Sequence, residues 1–332
     1  MNRIIQFFKE NIKALIIYTI LIIILLIQFP YYIEAPGGII NVNKRINIES
    51  SYESSGSLNL SYVSEYKATL LTLLYSVFNK DWKVISSKEV LSNNETASEY
   101  ELRDKIMLEE SYVNATLVGY TKANKDIDIL SEELYVNYLF EESKTNLEIG
   151  DKILEVDKKQ VNSKEEIDNI ISNYNVGDKV EIKVLKNNQE KTRTAILIEY
   201  ENKPIIGISV SKIKKLKTNP NIDINYKARE SGPSGGLMLS LAIYNDLTSD
   251  DITNGLTIVG TGTIDEFGNV GSIGGVEYKL KGAVKSKADI FIVPNGDNYK
   301  DAIKLKEKNN YKIEIKGVST FDEALDYLKN RE

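Results

Sequence analysis

The sequence predicts an α+β protein with two folded domains behind an amino-terminal transmembrane helix. The chain has 332 residues, which exceeds one typical domain, and its 42% hydrophobic content can supply two cores. Twenty residues from Ala14 to Ile33 carry no formal charge, which is the length a helix needs to cross a bilayer. Beyond them, short alternating runs typical of strands are interspersed with segments of helical periodicity.

The composition excludes several classes of function. There is no cysteine and no histidine, so disulfide frameworks and the usual zinc sites are excluded, and we expect neither a metal nor a cofactor. The net charge of −6 and the dispersed lysines argue against nucleic-acid binding. No glycine-rich run ends in Lys-Ser or Lys-Thr, so no ATP site is expected.

The amino-terminal 33 residues predict a membrane anchor. Residues 1–13 form a leader that carries Arg3, Lys9 and Lys13, and positive flanks tend to remain in the cytoplasm. Residues 14–33 are the predicted span, with aromatic residues at its far end. A cleaved signal peptide is the alternative, although it would have a shorter apolar region followed by small residues. We therefore expect a single-pass protein of the cell membrane, with its amino terminus cytoplasmic and the rest of the chain outside the cytoplasm.

Residues 34–118 form the first segment after the anchor. Alternation predicts short strands, and apolar spacing predicts two helices, the second with Thr96 as a possible N-cap. The predicted strands are 39–42, 46–48 and 57–63, and the predicted helices are 66–78 and 97–118.

Residues 119–200 resemble a PDZ domain. A strand at 134–140 is followed by a Gly150-Asp151 turn before alternating residues, a helix at 163–173, and a second turn at Gly177-Asp178 before another strand. The resemblance implies a groove for extended peptides. A different small mixed β-barrel is the alternative, because Gly-Asp is also ordinary turn chemistry. No Gly-Leu-Gly-Phe loop is present, so recognition of a carboxyl terminus remains open.

Residues 201–332 alternate strands and helices, as expected for an α/β or α+β domain. The predicted strands are 205–210, 222–226, 256–260, 262–265, 290–293 and 311–315. The predicted helices are 234–245, 276–287, 299–308 and one starting at 320.

Ser234 is the first candidate for chemistry. It follows Gly232 and Pro233 and precedes Gly235, at the predicted start of an apolar helix. Serine at such a position is by default a helix cap. The same position also supplies backbone N–H groups and a positive dipole end that can stabilise an oxyanion beside a nucleophile.

Lys279 is the candidate base, because without histidine the remaining plausible base for a serine is a lysine amine. It lies along one edge of an apolar stripe on the predicted helix 276–287, whereas Lys281 and Lys285 point away. Loss of hydration there would lower its pKa and make the neutral amine available. A lysine that only covers the stripe with its methylenes is the alternative.

The stretches 232–236, 261–265 and 268–279 together resemble the proteolytic domain of the Lon family. In that family the serine of Gly-Pro-Ser-Ala-Gly and the lysine shortly after Ile-Gly-Gly form the catalytic dyad, which the resemblance maps onto Ser234 and Lys279. Gly235 replaces the alanine, and Thr261 matches a threonine near the lysine amine. The resemblance implies an orienting role for Thr261. The alternative is a hydroxyl that bonds only backbone in a turn.

The whole chain resembles the membrane-anchored, ATP-independent PDZ and Lon-like serine peptidases of Gram-positive bacteria. Residues 56–78 also resemble the opening strand and helix of the Lon proteolytic domain, which implies that the PDZ-like unit is inserted into a discontinuous protease domain. The expected partners are peptide or protein substrates and the membrane, and a homo-oligomer is possible. The alternatives are a catalytically inert PDZ scaffold and a Ser/Lys enzyme of the signal-peptidase type.

Overall fold

The computed structural model describes residues 2–92 and 95–331. It divides the chain into two compact units: Met1–Gly37 with Val63–Val90, and Gly38–Tyr62 with Leu91–Glu332. The first elements in chain order are α1 (Asn2–Leu25), β1 (Gln28–Asn41), β2 (Ile46–Ile48), β3 (Ser57–Thr69), α2 (Leu70–Phe78), β4 (Lys83–Ser86) and α3 (Ser87–Val90). The predicted helix at 66–78 starts four residues later than expected, because Thr69 caps α2 through a hydrogen bond with Thr72.

The predicted transmembrane helix at 14–33 is wrong in its extent. The helix ends at Leu25, and Gln28 to Ile33 belong to β1, which pairs antiparallel with β4 from Tyr31↔Ser86 to Glu34↔Lys83. Pro30 cannot continue a helix, and the aromatic and β-branched residues around it favour a strand. No helix among residues 2–92 and 95–331 is both long and apolar enough to cross a membrane.

The predicted helix at 97–118 is α4 (Ala97–Lys122), which extends four residues further. Its start is confirmed. The Thr96 hydroxyl accepts from the N–H of Glu99, and the Glu99 carboxylate accepts from the N–H of Thr96 at 2.8 Å. This reciprocal capping box fixes the point where the chain enters the helix.

The middle of the chain forms a sheet around its own apolar core. The elements are β5 (Asp126–Leu139), β6 (Lys144–Thr145), β7 (Lys152–Val156), β8 (Lys159–Gln160), α5 (Lys164–Ile171), β9 (Lys179–Lys186), β10 (Gln189–Ile196), β11 (Ile198–Tyr200), β12 (Lys203–Ile205) and β13 (Ile208–Asn219). The strand order is β13-β5-β7-β9-β10-β6. Both Gly-Asp turns place their glycine at positive φ, +84° for Gly150 and +94° for Gly177, a region that favours glycine.

The carboxyl-terminal segment alternates strands and helices as predicted, with two differences: the strand predicted at 205–210 is interrupted between Ile205 and Ile208, and the strand predicted at 311–315 lies at Glu314–Val318. Its elements are β14 (Ile222–Ile224), α6 (Gly236–Leu247), β15 (Thr257–Gly260), β16 (Thr263–Ile264), β17 (Val270–Gly271), α7 (Val276–Lys285), β18 (Ile290–Pro294), α8 (Asp297–Asn309), β19 (Glu314–Val318) and α9 (Phe321–Lys329). The strands β19, β18, β15 and β3 run parallel in that order.

The segments before and after the middle sheet share one core. Thr257 to Gly260 of β15 pair in register with Ser57 to Leu60 of β3, although almost 200 residues separate them in sequence. Leu58, Ala115 and Val118 from the earlier segment pack in one cluster with buried residues of α6. The buried helix α6 therefore holds the loop before it in a fixed place, and this loop carries Ser234.

Candidate active site

Ser234 lies in the loop that leads into α6 and does not cap the helix. The helix begins at Gly236, two residues later than predicted, and its N-cap is Gly235, which provides no side-chain hydrogen bond. Ser234 is partly exposed. Within the described residues its hydroxyl makes no hydrogen bond, so the cap alternative does not explain this serine.

The loop is held by backbone contacts on both sides of Ser234. Gly232 has φ +80° and donates its N–H to the carbonyl of Asp104 at 3.1 Å. After the serine, the N–H of Leu237 donates to the carbonyl of Gly262 at 3.1 Å. The N–H groups of Ser234 and Gly235 make no hydrogen bond within the part of the chain that the structure describes, so both are available as donors to an oxyanion.

Lys279 is buried on α7, only 4% exposed. Gly275, in the left-handed region at φ 65°, starts the helix, and its carbonyl accepts the N–H of Lys279 at 3.2 Å. Val276, Leu280 and Ala283 form the predicted apolar stripe and are buried as well. A lysine that covers the stripe from the surface is therefore excluded. Lys285 is exposed as predicted, whereas Lys281 is half-buried.

Thr261 connects Lys279 to the serine loop. The Lys279 Nζ donates to Thr261 Oγ1 at 3.2 Å, and Thr261 Oγ1 donates to the carbonyl oxygen of Ser234 at 3.0 Å. The N–H of Gly262 donates to that same carbonyl at 2.8 Å. The structure thus brings Lys279, Thr261 and Ser234 together, and among the described residues it has no direct hydrogen bond between the lysine amine and the serine hydroxyl.

Burial lowers the pKa of Lys279 from 10.5 to about 8. The cause is desolvation of the ammonium form, and no neighbouring carboxylate offsets it. At about pH 8 half of the molecules would hold a neutral amine in the interior, beside a serine. This is the protonation state that a general base requires near neutral pH.

Helix α4 also contributes to this site, and no residue of it was predicted to do so. Ser111 and Asn114 of α4 hydrogen-bond the carbonyls of Pro233 and Ile264, respectively. Both residues line a cavity of about 390 Å³, together with Glu110, Pro233 and Asp265 among others. The only sequence signal is that positions 111 and 114 share a helical face, which does not say what that face contacts. Within 2–92 and 95–331 no group of acidic side chains is arranged to hold a metal.

Two segments of the chain match known protein families. Residues 222–330 match the Lon protease (S16) C-terminal proteolytic domain. The match contains Ser234, Thr261 and Lys279. Residues 139–197 match the PDZ domain family. The segments that match the PDZ domain family and the Lon proteolytic domain therefore follow one another in the chain.

Two curated relatives are Lon proteases. Lon protease 2 of Borreliella burgdorferi is 31% identical over 116 residues, which is 34% of this chain and 14% of the relative. The Lon protease of Xanthomonas oryzae pv. oryzae is 26% identical over 184 residues, 55% of this chain and 20% of the relative. The aligned regions thus span a fifth or less of the length of these two relatives.

Three similar solved structures each cover about a quarter of this chain. A PDZ domain of an SdrC-like protein from Listeria monocytogenes is 24% identical, with a TM-score of 0.23 over 25% of this chain and 92% of that domain. A solution structure from Geobacillus thermodenitrificans is 21% identical, with a TM-score of 0.22 over 23% of this chain and 94% of its own. The second domain of a Listeria protein is 28% identical, with a TM-score of 0.21 over 25% of this chain and 87% of that domain.

Proposed function

We propose that this chain is an ATP-independent serine endopeptidase in which Ser234 is the nucleophile and Lys279 the general base. The observation that carries the proposal is the buried amine of Lys279, which reaches the serine loop through Thr261. A buried lysine without a carboxylate partner reduces stability, and such groups cluster at functional sites. The alternative, an inert PDZ scaffold, offers no reason to bury that amine.

The proposed reaction starts with the neutral Lys279 amine. The amine takes the Ser234 proton, and the resulting alkoxide attacks a peptide carbonyl. The oxyanion that develops on the carbonyl oxygen accepts hydrogen bonds from the N–H groups of Ser234 and Gly235. Lys279, now an ammonium, protonates the leaving amine, and water then releases the acyl group. Thr261 fixes the amine throughout, because its hydroxyl accepts one N–H of Nζ while it donates to the Ser234 carbonyl.

We also propose that the protease domain is discontinuous, with residues 34–118 and 201–332 as its two parts and the PDZ-like residues 119–200 inserted between them. Residues 38–62 and 91–118 lie in the same compact unit as 201–332, and the register of β3 with β15 and the shared core support this organisation. Asp126 at the start of β5 pairs with Asn219 at the end of β13, so the chain leaves and re-enters the shared core at neighbouring positions.

The PDZ-like unit is proposed to present extended peptides to the site by strand addition, which needs an open sheet edge. β5 is closed, because Leu134 pairs with Ile153 of β7 on one side and with Lys212 of β13 on the other. The longer terminal strand is β13, so we place the peptide at its outer edge. At Lys212 the outer edge of β13 is already occupied, because the backbone N–H of Lys212 donates to the Glu110 carboxylate at 2.8 Å.

The N–H of Val210 points to the same side as that of Lys212, because strand residues two apart share an orientation. Val210→Pro removes this donor, whereas Val210→Ala reduces packing but keeps it. In the Ser234→Ala background we expect peptides to bind more weakly to Val210→Pro than to Val210→Ala, as measured by fluorescence anisotropy. Equal affinities would place peptide binding elsewhere.

Membrane attachment through residues 14–33, with the catalytic residues outside the cytoplasm, is a further part of the proposal. It is supported by the uncharged run and by Ile16, Ile17 and Leu21 of α1, each at least 50% exposed. Residues 14–25 cover roughly 18 Å as a helix, against about 30 Å of hydrocarbon, so a crossing requires helix beyond Leu25.

Because the chain has no cysteine, single substitutions give clean topology probes. We expect a membrane-impermeant maleimide to label Asp301→Cys on intact cells and Glu10→Cys only after lysis. Labelling of Asp301→Cys only after lysis would rule out the extracytoplasmic placement.

The central test uses the full chain in detergent, because removing residues 1–33 would delete the part of β1 that pairs with β4. It is incubated with a complex peptide mixture, and new termini are mapped by mass spectrometry. Cuts should disappear in Ser234→Ala and Lys279→Ala and persist in Lys281→Ala, a lysine on the same helix. Cuts that survive in both dyad variants would refute the assignment. Absence of cutting by any folded form, at an oligomeric state checked by light scattering, would favour the scaffold.

A further inference from the structure

Helix α4 contacts the serine loop through the backbone carbonyl of Asp104, which accepts the Gly232 N–H, and through one buried side-chain hydroxyl. Ser111 Oγ donates to the carbonyl oxygen of Pro233 at 2.9 Å, and Ser111 is 3% exposed. Pro233 directly precedes Ser234. The contact therefore acts on the peptide that leads into the nucleophile, from a helix that lies more than 100 residues earlier in the chain.

The fit of this hydroxyl depends on a glycine. A Cβ at Gly236 would lie 2.6 Å from Ser111 Oγ and 2.7 Å from Ile264 Cγ2, closer than real Cβ contacts. Any larger residue at position 236 would displace Ser111 or the start of α6. Ser111 and Gly236 thus form one packed unit beneath the loop.

We infer that Ser111 is a positioning residue for the nucleophile, an inference that rests on the proposed peptidase function. The proline ring already fixes φ of Pro233, so the orientation of its carbonyl determines the remaining dihedral, ψ. Holding that carbonyl sets the direction in which the chain enters Ser234. It thereby places both the hydroxyl and the N–H of Ser234 relative to the lysine.

A purely structural role predicts a different result. When a buried donor is removed, the usual cost comes from the acceptor that is left without a partner. The Pro233 carbonyl keeps a partner, because the N–H of Gly236 also donates to it at 3.3 Å. Loss of the Ser111 hydroxyl should consequently affect the direction of the carbonyl more than the stability of the fold.

The first measurement is peptidase kinetics on a substrate taken from the mapped cuts. We expect Ser111→Ala to lower kcat by roughly 10- to 100-fold, the effect of a misplacement near 1 Å, with KM unchanged within about twofold. Ser111→Thr, which keeps the hydroxyl, should restore most of kcat. The matched control is Thr116→Val on the same helix, whose hydroxyl bonds only Tyr112 in α4, and it should behave as the wild type. A Ser111→Ala variant with the kcat of the wild type would overturn the inference.

A second measurement does not depend on peptidase activity. Ser234→Cys introduces the only thiol of the chain, and its alkylation rate by iodoacetamide reports how the nucleophile position is presented. We expect Ser111→Ala to change this rate at least threefold and Thr116→Val to leave it unchanged. If Ser111→Ala changes the alkylation rate but the wild type cuts no peptide, the positioning role is retained and the peptidase function is rejected. If Ser111→Ala leaves the alkylation rate unchanged and the wild type does cut peptides, the peptidase function is retained and the positioning role is rejected.

Discussion

Replacing Lys279 by methionine should stabilise the folded chain at neutral pH while it abolishes peptidase activity. Methionine has a similar length, carries no charge and can fill the apolar site on α7. The wild type must instead keep an amine that is 4% exposed, with Thr261 as its hydrogen-bond partner. The buried amine of Lys279 therefore lowers the stability of the folded chain, and the proposed chemistry requires that amine.

The magnitude follows from the pKa of Lys279, which falls from 10.5 in the unfolded chain to about 8 in the folded one. At ~1.4 kcal/mol per pH unit, burying the protonated amine costs about 3 kcal/mol below pH 8. Loss of the hydrogen bond to Thr261 offsets about 1 kcal/mol. We expect the unfolding free energy of Lys279→Met at pH 7 to exceed that of the wild type by about 2 kcal/mol.

The sign of the pH dependence makes the prediction specific. Between about pH 8 and 10.5 the unfolded lysine holds its proton and the folded Lys279 does not, so wild-type stability rises with pH across this window. The difference in unfolding free energy between the two proteins should narrow by about 1 kcal/mol from pH 7 to pH 9. Urea unfolding followed by far-UV circular dichroism at both pH values measures it. A variant less stable than the wild type at pH 7, or a difference that does not change with pH, would refute the reasoning.

Four further outcomes are expected. The kcat/KM of the wild type should rise nearly tenfold from pH 7 to pH 9 as the neutral fraction of Lys279 grows from ~0.1 to ~0.9, and a flat profile over that range would exclude Lys279 as the base. Thr261→Val should lower kcat at least roughly tenfold because Nζ loses its acceptor, while Thr261→Ser keeps most of the rate; equal loss in both would point to packing instead. Gly260→Ala should destabilise by about 2 kcal/mol, since its Cβ would overlap Met238 Sδ and lie 2.9 Å from the backbone oxygen of Ile292. By contrast, Gly235→Ala, 3.0 Å from the flexible end of Leu60, should cost less than about 1 kcal/mol and stay active, as thermal melts and peptide cleavage would show.

The sequence pattern predicted the structure correctly where residues that are close together in the sequence determine it. Thr96 and Glu99 form a capping box wherever that helix packs, and glycine at 150 and 177 takes the positive φ that both turns need. Hydrophobicity alone failed at residues 14–33. The same apolar side chains suit either a membrane helix or a strand. At residues 28–33 Pro30 disfavours a helix, and pairing with β4 stabilises the strand.

The sequence by itself determined which residues could do the chemistry. Without histidine or cysteine a lysine amine is the remaining plausible base for a serine hydrolase, and the resemblance of the Gly-Pro-Ser and Gly-Gly-Val stretches to the Lon proteolytic domain predicts Ser234 and Lys279 as the dyad. Only the tertiary structure decided that Lys279 is buried, that Thr261 links it to the serine loop, and that Ser111 holds Pro233. Desolvation and hydrogen bonding depend on what surrounds a group in three dimensions. Here Thr261 lies 27 positions from Ser234 and 18 from Lys279, and Ser111 lies 122 positions before Pro233.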